Sequence, residues 1–202
     1  MTAVSGIVLA GGKSRRLGTD KALLEFDGKT LLEITVERLR EVTTDVLIAC
    51  GRGKRPGWPT VDAKMVLDRS EDRGPLAGLE AGLRAMANEA AVVVACDMPF
   101  LNPALLVHLA GRLEGHAAVV PMIDGRHHAL HAVYSRRCLP SVEDLLLKGG
   151  SVRDLLAAVD TRVVPETEVL EIDPDALSCF NLNAPEDFEK ARAAWVREGL
   201  GA

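Results

Sequence analysis

The stretch Val4-Ser5-Gly6-Ile7-Val8-Leu9-Ala10-Gly11-Gly12-Lys13-Ser14-Arg15-Arg16-Leu17-Gly18-Thr19-Asp20-Lys21 carries the first decision about this chain. Residues 4–10 are a short apolar run of the length of a buried β-strand, and they pass without a spacer into glycines and cations. From Leu9 to Lys21 there are three glycines and four cations against one acid. Glycine lets a backbone approach a ligand closely and adopt positive φ, and successive N–H groups in such a loop form an anion-binding nest. Lys and Arg add mobile positive charge, a combination that suits a polyphosphate. Two commoner phosphate motifs do not fit. A Walker loop ending in Gly12-Lys13-Ser14 needs Gly at position 7, which is Ile7. The dinucleotide fingerprint fails because Gly11 and Gly12 are adjacent and the next glycine is Gly18.

Outward from this stretch, short apolar runs alternate with amphipathic ones. Strands are expected at residues 4–10, 45–50, 63–67, 90–96, 117–122, 128–134 and 160–164. Helices are expected from Thr30, with Glu33 placed for a capping box, from Pro75 to about Asn88, from Asn102-Pro103 to about Leu113, and over residues 183–196. Ser141 and Ser151 read as caps of two further helices, separated by Gly149-Gly150. Strands alternating with helices predict an α/β fold: three layers, a Rossmann-like mostly parallel sheet with helices on both faces. In open α/β sheets ligands bind outside the carboxyl ends of the strands. The segments to interrogate are therefore 11–21, 68–74 and 97–99.

Composition limits the function classes. The chain has 202 residues, enough for one domain, expected over 1–202, with a core that needs no disulfide or metal staple. Net charge is −5 and only seven residues are aromatic, which argues against a nucleic-acid binder. Cys50, Cys96, Cys138 and Cys179 are widely spaced, so neither a zinc site nor a redox pair is indicated. No apolar run reaches membrane-spanning length and no signal segment precedes the first strand, so the expected location is the cytoplasm, with no membrane partner.

The string L-A-G-G-x-S-x-R-x-G-x-D-K at Leu9–Lys21 resembles the signature of molybdenum cofactor guanylyltransferases, whose scaffold is that of nucleotide-diphospho-sugar transferases. Further anchors follow in order: Leu67-Asp68 with Gly74-Pro75-Leu76-Ala77-Gly78, Cys96-Asp97-Met98-Pro99, Gly150-Ser151-Val152-Arg153, and Asn181-Leu182-Asn183-Ala184-Pro185-Glu186. The resemblance implies GMP transfer from GTP to molybdopterin, with Mg²⁺ as cofactor. It also implies passing contact with cofactor-delivery proteins and acceptor molybdoenzymes. It places Lys21 and Arg15 on the reacting phosphates. Leu9, Ala10, Gly11, Gly12, Arg16 and Asp68 are then nucleotide contacts, and Asp97 is the metal ligand. Arg153, Asn181 and Asn183 fall on the second substrate's side. One departure is visible: Ile48-Ala49-Cys50-Gly51-Arg52 lacks the Asn that the family often has there for base recognition.

The residues themselves leave some alternatives open. Asp97, just after an apolar strand and beside a polyphosphate loop, is a natural Mg²⁺ ligand, or it caps the turn at Met98-Pro99. Gly78 and Gly82 lie on one helix face, for packing or for a nucleotide. Asn183 with Glu186 also fits a capping box for the last helix. On a strand, His127 and His131 share one face and His128 takes the other, which weighs against a three-histidine metal site and leaves a substrate-groove contact. Competing readings are a CTP or sugar-phosphate transferase on the same scaffold, and a non-catalytic nucleotide-binding escort.

Overall fold

A computed structural model describes residues 3–11, 20–26, 28–53, 56–70 and 73–199. Strand β1 (Ser5–Leu9) is buried along its whole length. It is followed by a small hairpin, β2 (Glu25–Phe26) and β3 (Lys29–Thr30), and by α1 (Leu31–Arg40). Thr30 and Glu33 form the expected capping box: the Glu33 amide donates to Thr30 Oγ1 at 3.3 Å, and the Thr30 amide donates to Glu33 Oε2 at 2.8 Å. Next come β4 (Val46–Ala49), β5 (Lys64–Val66), α2 (Pro75–Ala85), β6 (Ala90–Ala95), α3 (Pro103–Gly111) and β7 (Ala118–Ile123). The chain then runs through β8 (Arg126–His127), β9 (His131–Ser135), α4 (Leu139–Lys148), α5 (Val152–Ala158), β10 (Thr161–Val164), α6 (Glu166–Leu170) and α7 (Pro185–Arg197).

The main sheet has the order β5-β4-β1-β6-β9-β7-β10, with β8 turned back on β7. The pairs β4–β5, β1–β4, β1–β6 and β7–β10 are parallel. Strand β9 runs antiparallel to both neighbours, β6 and β7. The expected mostly parallel α/β sheet is therefore present, with one reversed strand inside it. From β1 the chain steps to β4 on one side and reaches β6 on the other, so the strand order reverses at the β1–β6 boundary. That boundary is where a crevice opens at the carboxyl ends of the strands.

Side chains alternate between two cores. Val8, Ile48, Val92 and Val94 face α1 and α3 with Leu32, Val36, Leu105 and Leu109. Ile7, Leu47, Ala91 and Val93 face α2, α4 and α5 with Leu79, Leu83, Val142 and Leu155. A third cluster gathers all four phenylalanines and Trp195 around Leu31, Ile34 and Leu182, and it fastens α7 and the segment before it to the crevice edge.

The glycines of α2 serve packing. A Cβ on Gly82 would lie 2.7 Å from Ile7 Cδ1 and 2.8 Å from Ile7 Cγ2, and one on Gly78 would lie 3.0 Å from Leu9 Cδ2. Ile7 is fully buried and cannot retreat. Overpacking of this kind costs ~1–3 kcal/mol, against a helix-propensity gain of ~1 kcal/mol from removing glycine. Gly82→Ala is expected to lower stability by up to about 2 kcal/mol, read as a lower urea midpoint at unchanged m value. An unchanged or higher midpoint would refute the packing role.

Three expectations fail locally. Helix α4 starts at Leu139 rather than at Ser141, because the short turn Arg136–Cys138 feeds directly into it and Pro140 suits its first turn. The run 128–134 is not one strand. The His131 amide donates to the His128 carbonyl at 2.9 Å, a turn that separates His127 on β8 from His131 on β9. Glu186 does not cap α7, as described below.

Candidate active site

Lys21 opens a short 3-10 turn, Lys21–Leu23, just beyond the glycine-rich loop. Asp20 fixes this turn from two directions. Its Oδ1 accepts from the Ala22 amide at 3.2 Å, and its Oδ2 accepts from the indole N–H of buried Trp58 at 2.9 Å. Lys21 Nζ then reaches the end of β6 and donates to Asp97 Oδ2 at 2.6 Å. It also donates to Asn183 Oδ1 at 3.3 Å. The side chains of Lys21 and Asp97 are 18% and 14% exposed, so the pair is largely shielded from water.

Asp97 is held from below by its backbone: the Leu182 amide donates to its carbonyl at 3.0 Å. Its Oδ1 is buried and has no hydrogen-bond partner among the described residues. On the other side of β1, the Asp68 amide donates to the Gly51 carbonyl at 2.9 Å. This brings the Asp68 carboxylate beside Gly11, where an added Cβ would lie 3.6 Å from Asp68 Oδ2 and 3.0 Å from the Gly51 nitrogen. Only glycine fits so close to a neighbouring backbone. Burial pushes the Asp68 carboxyl upward, opposed by its hydrogen bond to Gly51 and assisted by nearby Glu80. Asp68 Oδ1 also lacks a partner among the described residues. Two carboxylates thus flank the end of β1, each with one buried oxygen that lacks a hydrogen-bond partner among the described residues.

Leu9 and Ala10 are buried, and part of their backbone belongs to the sheet. The Leu9 carbonyl accepts from the Cys96 amide at 3.2 Å, and the Ala10 amide donates to the Ala49 carbonyl at 2.9 Å. Gly12, Arg15 and Arg16 lie outside the described residues. Asn181 donates to the Cys179 carbonyl at 3.3 Å, a bond within its own segment. Arg153 is exposed in the first turn of α5. It makes no ion pair or hydrogen bond with Lys21, Asp97 or Asn183. It does share their edge of the sheet, because α4 runs from the end of antiparallel β9 back to that edge before α5 begins.

Asn183 has a different job from the one its spacing suggests. The N-cap of α7 is Ala184, and Asp187 closes the helix end by accepting from the Ala184 and Asn183 amides, both at 2.9 Å. With Asp187 in that place and Pro185 setting the first turn, neither Asn183 nor Glu186 is needed as a cap. The Asn183 carboxamide is released to accept from Lys21.

The histidines form no metal centre: among the described residues no group of three His, Cys, Asp or Glu is placed to hold a metal. His127 is exposed, whereas His131 is 0% exposed and lies beneath the crevice rather than in a groove. Its Nε2 stands 2.6 Å from Ser178 Oγ, and burial pushes its imidazole down to about 4, so it is neutral at pH 7. Asp173 completes no catalytic triad here, because its Oδ2 accepts from the Ser178 amide at 2.8 Å rather than from the imidazole. Sequence reasoning passed over Trp58 and Ser178. Neither sits in a local motif, and each acts across a long separation.

Among the described residues a lysine, a carboxylate and a carboxamide converge at the switch point, and none of the three is a nucleophile. Comparison with known proteins identifies the family. The family model described as the MobA-like NTP transferase domain matches residues 6–163. The molybdenum cofactor guanylyltransferase of Desulfosudis oleivorans is 37% identical over 198 residues, covering 96% of each chain. The probable molybdenum cofactor guanylyltransferase of Methanosarcina mazei is 38% identical, covering 92% of this chain and 88% of that one. Among solved structures, molybdopterin-guanine dinucleotide biosynthesis protein A from Archaeoglobus fulgidus is similar with a TM-score of 0.83 and 27% identity, over 96% of this chain and 100% of that one. The 2-C-methyl-D-erythritol 4-phosphate cytidylyltransferase of Thermus thermophilus, at 20% identity, TM-score 0.71 and coverage of 96% and 98%, shares the fold alone. Among the described residues no helix is long and apolar enough to cross a membrane. The chain is a nucleotidyltransferase and belongs to the molybdenum cofactor guanylyltransferase family of MobA-like NTP transferases.

Proposed function

We propose that this enzyme transfers GMP from GTP to the terminal phosphate of molybdopterin. A phosphate oxygen of molybdopterin forms a bond to the α-phosphorus of GTP. The bond from that phosphorus to the β-phosphate bridging oxygen breaks, and pyrophosphate leaves with the electron pair. The observation that carries this reading is the convergence of Lys21, Asp97 and Asn183 at the end of β6, beside the end of β1.

The nucleophile is already an anion, so the residues need not remove a proton. Their work is in-line positioning and neutralisation of charge as it moves to the leaving group. Lys21 supplies a formal positive charge at the crevice, held in direction by Asp97 and Asn183. Arg15 and Arg16 steer the β- and γ-phosphates from the loop. Asp68 takes the nucleoside side, and Arg153 with Asn181 and Asn183 takes the molybdopterin side.

The donor set fits Mg²⁺: Asp97 Oδ1 is a buried carboxylate oxygen without a partner among the described residues, and Mg²⁺ is commonly held by one or two carboxylates together with phosphate oxygens and water. When bound, the ion supplies positive charge to the phosphate oxygens.

Base choice is the least constrained part. After β4 the chain offers Cys50, whose thiol donates to the Val66 carbonyl at 3.2 Å, and then Gly51 in the left-handed region at φ 66°. No side-chain amide stands there, so guanine selection falls to Asp68 and to backbone groups. The test is pyrophosphate release and dinucleotide formation with Mg²⁺, molybdopterin and GTP, ATP or CTP in turn. Turnover is expected with GTP above the other two. No pyrophosphate with GTP, or faster turnover with CTP, would contradict the reading.

A further inference from the structure

Beneath the crevice lies a buried polar knot that the transfer chemistry leaves unexplained. His131, on β9, is the register partner of Val94 on β6, three residues before Asp97. Its Nε2 is 2.6 Å from Ser178 Oγ, and both residues are 0% exposed. The Asn102 amide donates to the same Oγ at 2.9 Å, and the Ser178 amide donates to Asp173 Oδ2 at 2.8 Å. The Ser178 hydroxyl thus joins a ring nitrogen of His131 and the Asn102 amide in one buried cluster, its oxygen accepting from Asn102 and sharing a further hydrogen bond with Nε2.

The knot sits at the start of the segment that returns to the site. Five residues after Ser178, Asn183 accepts from Lys21, and on the way Leu182 donates its amide to the Asp97 carbonyl. A buried polar group is expensive to leave unpaired, so a three-point fastening at Ser178 fixes where this segment begins. The aromatic cluster fixes only its apolar side, through Phe180 and Leu182.

We propose that His131 is a positioning residue of the transfer site: by locking Ser178 it holds the segment from Ser178 to Asn183 against the sheet and keeps Asn183 on Lys21. The kinetic part of this proposal rests on the function proposed above; the mechanical part does not.

The test combines amide hydrogen exchange of the full chain with steady-state pyrophosphate release, on His131→Leu, Ser178→Ala and His131→Gln. Gln offers a carboxamide that can either donate to or accept from the Ser178 hydroxyl, Leu offers neither, and Ser178→Ala removes the hydroxyl with the least disturbance of volume. In His131→Leu and Ser178→Ala, amides of residues 178–183 are expected to exchange at least about tenfold faster, with β1 and β6 amides unchanged. Turnover number is expected to fall about tenfold, with the KM for GTP within about threefold of the parent, and His131→Gln is expected to recover most of both. Unchanged exchange at 178–183 in both disruptive variants overturns the proposal. So does equal acceleration across β1 and β6 in Ser178→Ala, and so does a Gln variant that exchanges as fast as the Leu variant. A parent enzyme that releases no pyrophosphate from GTP contradicts the proposed reaction instead, and leaves the exchange result to decide this inference.

Discussion

Asp97→Asn is expected to lower the turnover number for pyrophosphate release by about 10³-fold, near the upper end of what removing one preorganised electrostatic group costs. The substitution preserves shape, and an amide oxygen can still accept from Lys21. The Asp97 carbonyl, which takes the Leu182 amide, is untouched. What disappears is the formal negative charge, and with it the buried, unpartnered carboxylate oxygen proposed to hold Mg²⁺. The loss of stability should be the smaller effect, because the amide keeps a hydrogen bond to Lys21; the largely buried ammonium nevertheless loses its counter-charge, and the unfolding midpoint falls. Turnover within threefold of the parent at saturating GTP would remove Asp97 from the catalytic account.

Lys21→Met is the second large effect. Methionine keeps most of the aliphatic stem and removes the ammonium that touches both Asp97 and Asn183. The expected loss of turnover is about 10²-fold, again larger than the loss of stability. Asp20 and Trp58 would still form their turn, because their hydrogen bonds do not involve the lysine head group. A variant with normal turnover and a large drop in midpoint would make Lys21 a structural residue.

The sequence made the layers of this fold legible, because buried parallel strands read as apolar runs and capped helices carry their signals within a few residues. Thr30 with Glu33 and Ser151 with Asp154 are such local signals, and both caps form. The reversed direction of β9 was not legible: strand direction leaves no mark in composition, and His128 to Leu130 look as extended as the strand they precede. The small β2–β3 hairpin carried a signal in Asp27-Gly28, a common hairpin-turn pair, but its strands of two residues each are too short to show alternation.

The site divides in the same way. Lys21 and Asp97 stand out because each follows a strand at the edge where ligands bind. Their direct contact spans 76 positions and could only be expected, not read. Asn183 looked like a cap because its spacing to Glu186 suits one. The competing acceptor, Asp187, lies one residue further on and took that role. His131 looked like a groove residue because alternation gives a side chain's face but not what covers that face. Ser178 covers it, 47 positions away.

The account stands or falls on where the triphosphate lies. A crystal structure of this protein with GTP and Mg²⁺ should place the phosphates between the Gly11–Lys21 loop and Asp97, with Lys21 on a phosphate oxygen and the nucleoside toward Asp68. A nucleotide bound elsewhere, with Lys21 still closed on Asp97 and no phosphate beside it, would contradict it.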